Sequence, residues 1–262
     1  MEINLLDLAD NFGCDHREFS NTFREFYETL DLSYETLSES ERDQVLLEIL
    51  HKLENDTQII GHPDRTQVWY EGWKENLDDF LKNKAIEEIV PKFIRPNKIV
   101  RYNGNFIKPS NPYFERDFAK LIQIYCYHQF IKNYSVENVY EFGCGSSFNL
   151  MTMANLREEG DSEIDFYMIK PDRRRKIKKN SAVFTFGAIE QLRSQFKDFI
   201  LYLLENRPKV CFHIEPTMEN YDPDNLFDYL QIKFHKKRGY TQGLLPYLQQ
   251  LEEEGKLVIV KE

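Results

Sequence analysis

In "VYEFGCGSSFNL", residues 139–150, an acid and two glycines stand where a β-branched and aromatic run gives way to a helical pattern. Those residue types at that spacing suit a nucleoside-bearing ligand. Gly143 and Gly145 permit a tight turn and close approach of backbone to ligand. The helix that follows brings unpaired N–H groups at its start. Glu141, at the strand end, can take a hydroxyl or an ammonium group. A carboxylate here disfavours a pyrophosphate and favours a cationic cofactor, and Phe148 breaks the dinucleotide spacing G-x-G-x-x-G. The plain alternative is a turn in which the two glycines only close a strand–helix junction.

A second pair of reactive side chains lies in "KVCFHIEP", residues 209–216. His213 and Glu215 are two residues apart, so a strand points both the same way, at the end nearest a bound ligand. His213 titrates near neutrality and is the better proton acceptor of the two, with Glu215 orienting it or the substrate. The competing reading is a core histidine and a capping acid. His128 and His235 have no second ligand at metal spacing, and no metal is expected. "KPDRRRKIKKN", residues 170–180, holds seven Lys and Arg, yet no aromatic residue interleaves to stack bases. It reads as a solvated loop, and nucleic acid is not the expected partner.

The elements that must position these groups change rhythm along the chain. Residues 1–133 read as a helical region with a hairpin near 99–107. "REFSNTFREFYETL" puts Phe19, Phe23, Phe26, Tyr27 and Leu30 on one helical face. Ser38 and Glu41 stand at capping-box spacing before a helix expected to bury Leu46, Ile49, Leu50 and Leu53. Trp69, Trp73, Leu77 and Phe80 align on another helix, ended by Pro91 at the latest, as a core-packing face. Asn103-Gly104 is the preferred two-residue hairpin turn, and Asn111 with Pro112 opens a long aromatic helix. From 134 to 262 the pattern becomes strand, helix, strand, with strands expected in "NVYEFG", "EIDFYMI", "SAVFTFG", "KVCFHIEP" and "KLVIVKE". Such alternation implies a mainly parallel sheet with ligand sites at the strands' carboxyl ends. The fold class is therefore α/β, and no linker separates the halves.

Composition narrows the partners. Lys and Arg number 34 against 44 Asp and Glu, a net charge of −10, which opposes binding to nucleic acid or an anionic membrane. No apolar run approaches the roughly 20 residues of a membrane-spanning helix, and no secretory signal opens the chain. Four scattered cysteines without a Cys-x-x-Cys pair read as reduced thiols, which points to a cytoplasmic location.

Through "VYEFGCGSS", "SAVFTFGAIEQL" and "KVCFHIEP" the second half of the chain resembles the Rossmann-like S-adenosylmethionine-dependent methyltransferases. "WYEGWKENLDDF", "PKFIRPN", "IKPSNPYFERDF" and "YDPDNLFDYLQIKFHKKRGY" extend the likeness to members with a helical N-terminal extension. The resemblance implies methyl transfer from S-adenosylmethionine to a small-molecule acceptor. It assigns Glu141, Gly143 and Gly145 to the methionine and ribose side of the cofactor. Asp165 and Phe166 become the acid and aromatic that meet adenine, and Phe186-Gly187 ends the strand beneath the sulfonium.

The resemblance is incomplete. Ser181 stands only 38 positions after Gly143, where the family places two further strands. Two strands with their crossovers need upwards of about 40 residues, so one strand–helix unit is missing. If "EIDFYMI" is the adenine-side strand, the ribose acid is absent; if it is the second strand, Asp165 is that acid and the adenine side is bare. That shortfall supports a second reading, a catalytically inactive methyltransferase-like binding or scaffolding protein.

Overall fold

The computed structural model describes residues 1–82, 99–143, 145, 148–156, 164–169 and 175–260. The stretch "PKFIRPN", Pro91 and the first half of the basic segment lie outside them.

Four strands form the parallel sheet that the alternating pattern implies: β4 (Asn138–Phe142), β5 (Asp165–Ile169), β6 (Ser181–Phe186) and β7 (Val210–Ile214). Their order is β5-β4-β6-β7, every neighbouring pair parallel. All five residues of β4 are buried, as expected of an inner strand covered on both faces. Side chains alternate between those faces. Val139, Phe184 and Phe212 pack with Leu121 and Ile124 of α5 (Phe114–Cys126) and with Leu150 and Met153 of α6 (Phe148–Ala154). Tyr140, Phe142 and Val183 pack on the other side with Phe199 and Leu203 of α7 (Phe196–Asn206) and Leu251 of α9 (Leu244–Glu253).

The first of these cores continues without a break into Ile3, Leu8, Phe19 and Phe23 of the N-terminal region. Here α1 (Leu5–Phe12) and α2 (Asn21–Tyr27) lie against α5, which in turn covers the sheet. Residue 133 therefore does not divide two cores. The expected hairpin is present as β2 (Val100–Tyr102) and β3 (Asn105–Pro109), turned by Asn103 at φ 45° and Gly104 at φ 76°. A third strand, β1 (Tyr34–Thr36), pairs antiparallel with β3.

Three expectations are corrected. In α3 (Glu39–Asn55) the Ser38–Glu41 capping box forms, but only Val45 is fully buried and Leu50 is exposed, because this helix lies on the rim of the fold. In α4 (Pro63–Leu81) the buried positions are Arg65, Gly72 and Asn76, while Leu77 and Phe80 are exposed. The inner face of α4 meets loops beyond the strand ends, with Trp73 against Gly145 and Arg65 against Gln191 and the Tyr240 ring. Residues 256–260 form no strand; the Ile259 amide donates to the Glu252 side chain of α9 (2.6 Å), and Val258 and Val260 stay exposed.

Candidate functional site

The sheet order makes one place distinct. From β4 the chain passes to β5 on one side, then returns across to β6 on the other. The carboxyl ends of β4 and β6 thus flank the point where connections diverge, the crevice in which open α/β sheets take ligands. The glycine loop sits there. Gly143 (φ 77°) and Gly145 (φ 51°) are both left-handed, a conformation that side chains with a Cβ rarely adopt. Each glycine also meets a protein neighbour. A Cβ on Gly143 would stand 2.6 Å from the Ala188 Cβ in the loop after β6, and one on Gly145 would overlap the Trp73 indole of α4. Trp73 in turn lies 5.8 Å from Trp69, ring centre to ring centre.

Glu141 is 1% exposed, at the carboxyl end of β4 on the α5–α6 face. Its Oε1 accepts from Asn149 Nδ2 (2.6 Å), and Asn149 Oδ1 accepts from Gln123 Nε2 (2.5 Å). Two acceptors of this buried chain, Glu141 Oε2 and Gln123 Oε1, have no hydrogen-bond partner among the described residues. Burial pushes the Glu141 carboxyl up to about 7, against the lowering effects of Asn149 and the Leu150 amide. An unpaired buried acceptor costs about 1–3 kcal/mol, so the arrangement favours any donor that can reach it.

His213 and Glu215 lie on the opposite face of the sheet from Glu141. His213 Nδ1 is 2.9 Å from the Thr185 hydroxyl, and its ring packs edge-on to Phe199 of α7. Burial lowers its pKa to about 4, so the imidazole is neutral at physiological pH. Glu215 accepts the amides of Ala188 (3.1 Å) and Glu190 (3.2 Å), tying down the loop that touches Gly143. Both residues therefore have structural partners, the capping arrangement that competed with a proton-transfer role.

Asp165 and Phe166 need correcting. Parallel pairing sets Asp165 opposite Asn138 and Phe166 opposite Val139, at the amino end of β4. Four strand steps of about 3.3 Å put Asp165 roughly 13 Å from the end that carries Glu141 and the glycines. Its carboxylate is instead paired with Lys178 (3.3 Å) and accepts from Tyr167 (2.8 Å). The "EIDFYMI" strand does adjoin the glycine strand directly, but Asp165 is its first residue and lies at the amino end. Phe186 and Gly187 are at the expected carboxyl end of β6, and the Gly187 amide donates to the Ile214 carbonyl (2.9 Å).

A polar group that the sequence reading did not single out closes the same end of the sheet. Ahead of α7, the "AIEQLRSQ" run forms a 3₁₀ segment, Ile189–Gln195, broken at Arg193 (φ 54°, ψ −132°). It brings Glu190 beneath α4 and α8 (Leu226–Arg238). Buried Arg65 of α4 donates to the Gln58 carbonyl (2.9 Å) and to Gln191 Oε1 (3.3 Å), with its guanidinium over the Trp69 and Tyr240 rings. Arg238 holds Asp56 through Nε (2.6 Å) and Nη2 (3.3 Å). The Glu190 carboxyl is pushed up to about 7 by burial and by Glu215, with Arg65 and Arg238 opposing. The available sequence signal was position alone: Glu190 follows Gly187 by three residues, just past a strand end.

No protein-family model and no curated protein matches this sequence. Among the described residues no cluster of three or more His, Cys, Asp or Glu is arranged to hold a metal ion, and no helix is long and apolar enough to cross a membrane.

Proposed function

We propose that the chain binds S-adenosylmethionine at the loop after β4 and transfers its methyl group to a small-molecule acceptor in the cytoplasm. The observation that carries this reading is Glu141: a buried carboxylate with one oxygen unpartnered among the described residues, beside two left-handed glycines at the divergence point of a parallel sheet. The cofactor's methionine moiety brings an ammonium group with three donors, and its ribose brings hydroxyls. Either supplies what Glu141 Oε2 and Gln123 Oε1 lack. A cation also draws Glu141 into its ionised form, so affinity rises with pH through about 7.

Transfer is an in-line displacement, in which the acceptor attacks the methyl carbon as the bond to sulfur breaks. Orientation and proximity supply most of the acceleration. Phe186 and Gly187, at the end of β6, stand in position to border the sulfonium, and Glu215 fixes the neighbouring loop. Nucleic acid is not the acceptor in this reading, given the net charge of −10.

A second reading has one observation in its favour. With Asp165 at the far end of β5, no carboxylate among the described residues of that strand meets the ribose. A protein that holds the cofactor weakly and transfers nothing would fit this, as a methyltransferase-like binding or scaffolding protein.

The two tryptophans of the chain, Trp69 and Trp73, both belong to α4, and Trp73 abuts Gly145. Intrinsic fluorescence therefore reports on the glycine loop directly. Titration with S-adenosylmethionine and S-adenosylhomocysteine should give a saturable change, abolished or shifted at least tenfold in Glu141→Gln. An absent signal, together with no heat of binding in calorimetry, refutes the cofactor assignment. Binding without transfer of labelled methyl selects the second reading.

A further inference from the structure

Among the described residues, Glu190 is a carboxylate at this end of the sheet whose side chain has no hydrogen-bond or ion-pair partner. Its backbone is anchored, the amide donating to Glu215 Oε2 and the carbonyl accepting from Thr241 (2.7 Å). Its side chain makes no hydrogen bond or ion pair among the described residues, although the residue is partly buried. Ala188, two residues earlier, touches Gly143, so the Glu190 loop borders the glycine loop. Among the described residues the charged and titratable groups that act on it are Glu215 from the end of β7, Arg65 from α4, Arg238 from α8, and the Tyr221 phenol from the segment before α8. Tyr221 and Tyr240 flank His235, which is 1% exposed and whose Nδ1 has no partner among the described residues.

A partly buried carboxylate whose backbone is anchored and whose side chain has no partner among the described residues is arranged to take a proton. Opposed arginines keep it ionisable, and Glu215 and burial keep it basic. His213, by contrast, is engaged by Thr185 and sits under α7. Resting on the methyl-transfer reading above, we propose that Glu190, on the loop that borders Gly143, is the base that receives the proton of the acceptor's hydroxyl. The acceptor oxygen bonds to the methyl carbon while the carbon–sulfur bond breaks. Its electron pair stays on sulfur to give S-adenosylhomocysteine. The hydroxyl proton passes to the Glu190 carboxylate and then to water.

The test compares the full chain with Glu190→Gln and Glu190→Asp. A mixed probe set of phenols, polyols and hydroxy acids is offered with methyl-labelled S-adenosylmethionine, and binding of S-adenosylhomocysteine is followed in parallel by tryptophan fluorescence. General-base catalysis contributes about 10²–10⁴-fold. Glu190→Gln should therefore lower methyl transfer at least a hundredfold while S-adenosylhomocysteine affinity stays within twofold, and Glu190→Asp should recover part of the loss. Wild-type turnover should climb as pH rises through about 7, and the climb should vanish in Glu190→Gln. Equal turnover and pH profile in the variant overturn the proposal, as does a loss confined to cofactor affinity. A wild-type chain that binds the cofactor and labels no probe refutes the base and leaves cofactor binding standing. One that does not bind refutes the methyl-transfer reading itself.

Discussion

Replacing Glu141 by Gln should stabilise the fold and damage the site at once. In the folded chain the carboxyl titrates at about 7 instead of 4.5, chiefly because it is buried. That difference corresponds to about 3 kcal/mol between its two protonation states. Because the folded pKa is the higher one, the stabilising contribution is complete below pH 4.5 and is lost as pH rises to about 7. Above that, the folded chain carries a buried charge whose second oxygen has no partner among the described residues. Glutamine keeps an oxygen to accept from Asn149 and cannot ionise. The gain over wild type should be small at pH 4.5 and reach about 3 kcal/mol by pH 8, or roughly 6–12 °C in Tm for a chain of this size. Taking the difference between variant and wild type cancels the opposing effects of His213 and His235. Urea unfolding at several pH values measures it. Over the same range the variant should bind S-adenosylmethionine roughly ten- to a hundredfold more weakly, the value of one hydrogen bond to a charged group. A variant that is less stable at pH 8, or that binds as tightly as wild type, would show that Glu141 is a satisfied core acid and that its unpaired oxygen has no ligand to serve.

Gly145→Val should lower stability by at least 2 kcal/mol and shift the tryptophan emission, because a left-handed φ is strained by about 1–2 kcal/mol and the side chain overlaps Trp73; an unchanged spectrum would contradict the packing. Asp165→Ala should leave S-adenosylmethionine affinity within twofold, and a larger loss in calorimetry would mean that the far end of β5 reaches the ligand. Cofactor affinity itself should be micromolar or weaker, since no described carboxylate of β5 meets the ribose, and nanomolar binding would show a complete pocket. His213→Gln should improve stability on the acid side only: burial holds the His213 pKa at about 4, so its contribution is present above pH 6.5 and lost as pH falls toward 4, and acid unfolding midpoints check the direction.

What could be read from the sequence follows from where information is local. The glycine turn, the Asn103-Gly104 hairpin and the Ser38–Glu41 capping box are each determined by residues a few positions apart, and all form. The parallel sheet was legible because buried strands and amphipathic helices alternate. The errors arise where distant packing decides. The tryptophan face of α4 reads as core because the contacts of this helix, Gly145 against Trp73 and Gln191 and Tyr240 against Arg65, come from residues far away in sequence. Asp165 was misplaced because a strand's acid signals a ligand only at the carboxyl end, and the first residue of β5 is at the other. β1 has three residues and no alternating pattern to announce it. Glu190 was hidden inside a run that reads as helix, and only the break at Arg193 exposes it as a loop residue.

The short passage between β4 and β6 has a structural counterpart in the N-terminal region. One strand lies between them, and among the described residues β5 is the edge of the sheet. At the divergence point the cover comes from α4 instead. Trp73 presses on Gly145 from that helix, and Arg65 of the same helix reaches Gln191 in the loop after β6. The contact requires a glycine on the loop side, since any Cβ there would overlap the indole. The requirement for Gly145 is thus set from outside the parallel sheet, by a helix more than 60 residues earlier in the chain. Because α1, α2 and α5 also share one core with β4, β6 and β7, the N-terminal region is not an appendage to a self-sufficient sheet. It supplies part of the core and, through Trp73 against Gly145, one wall of the candidate site.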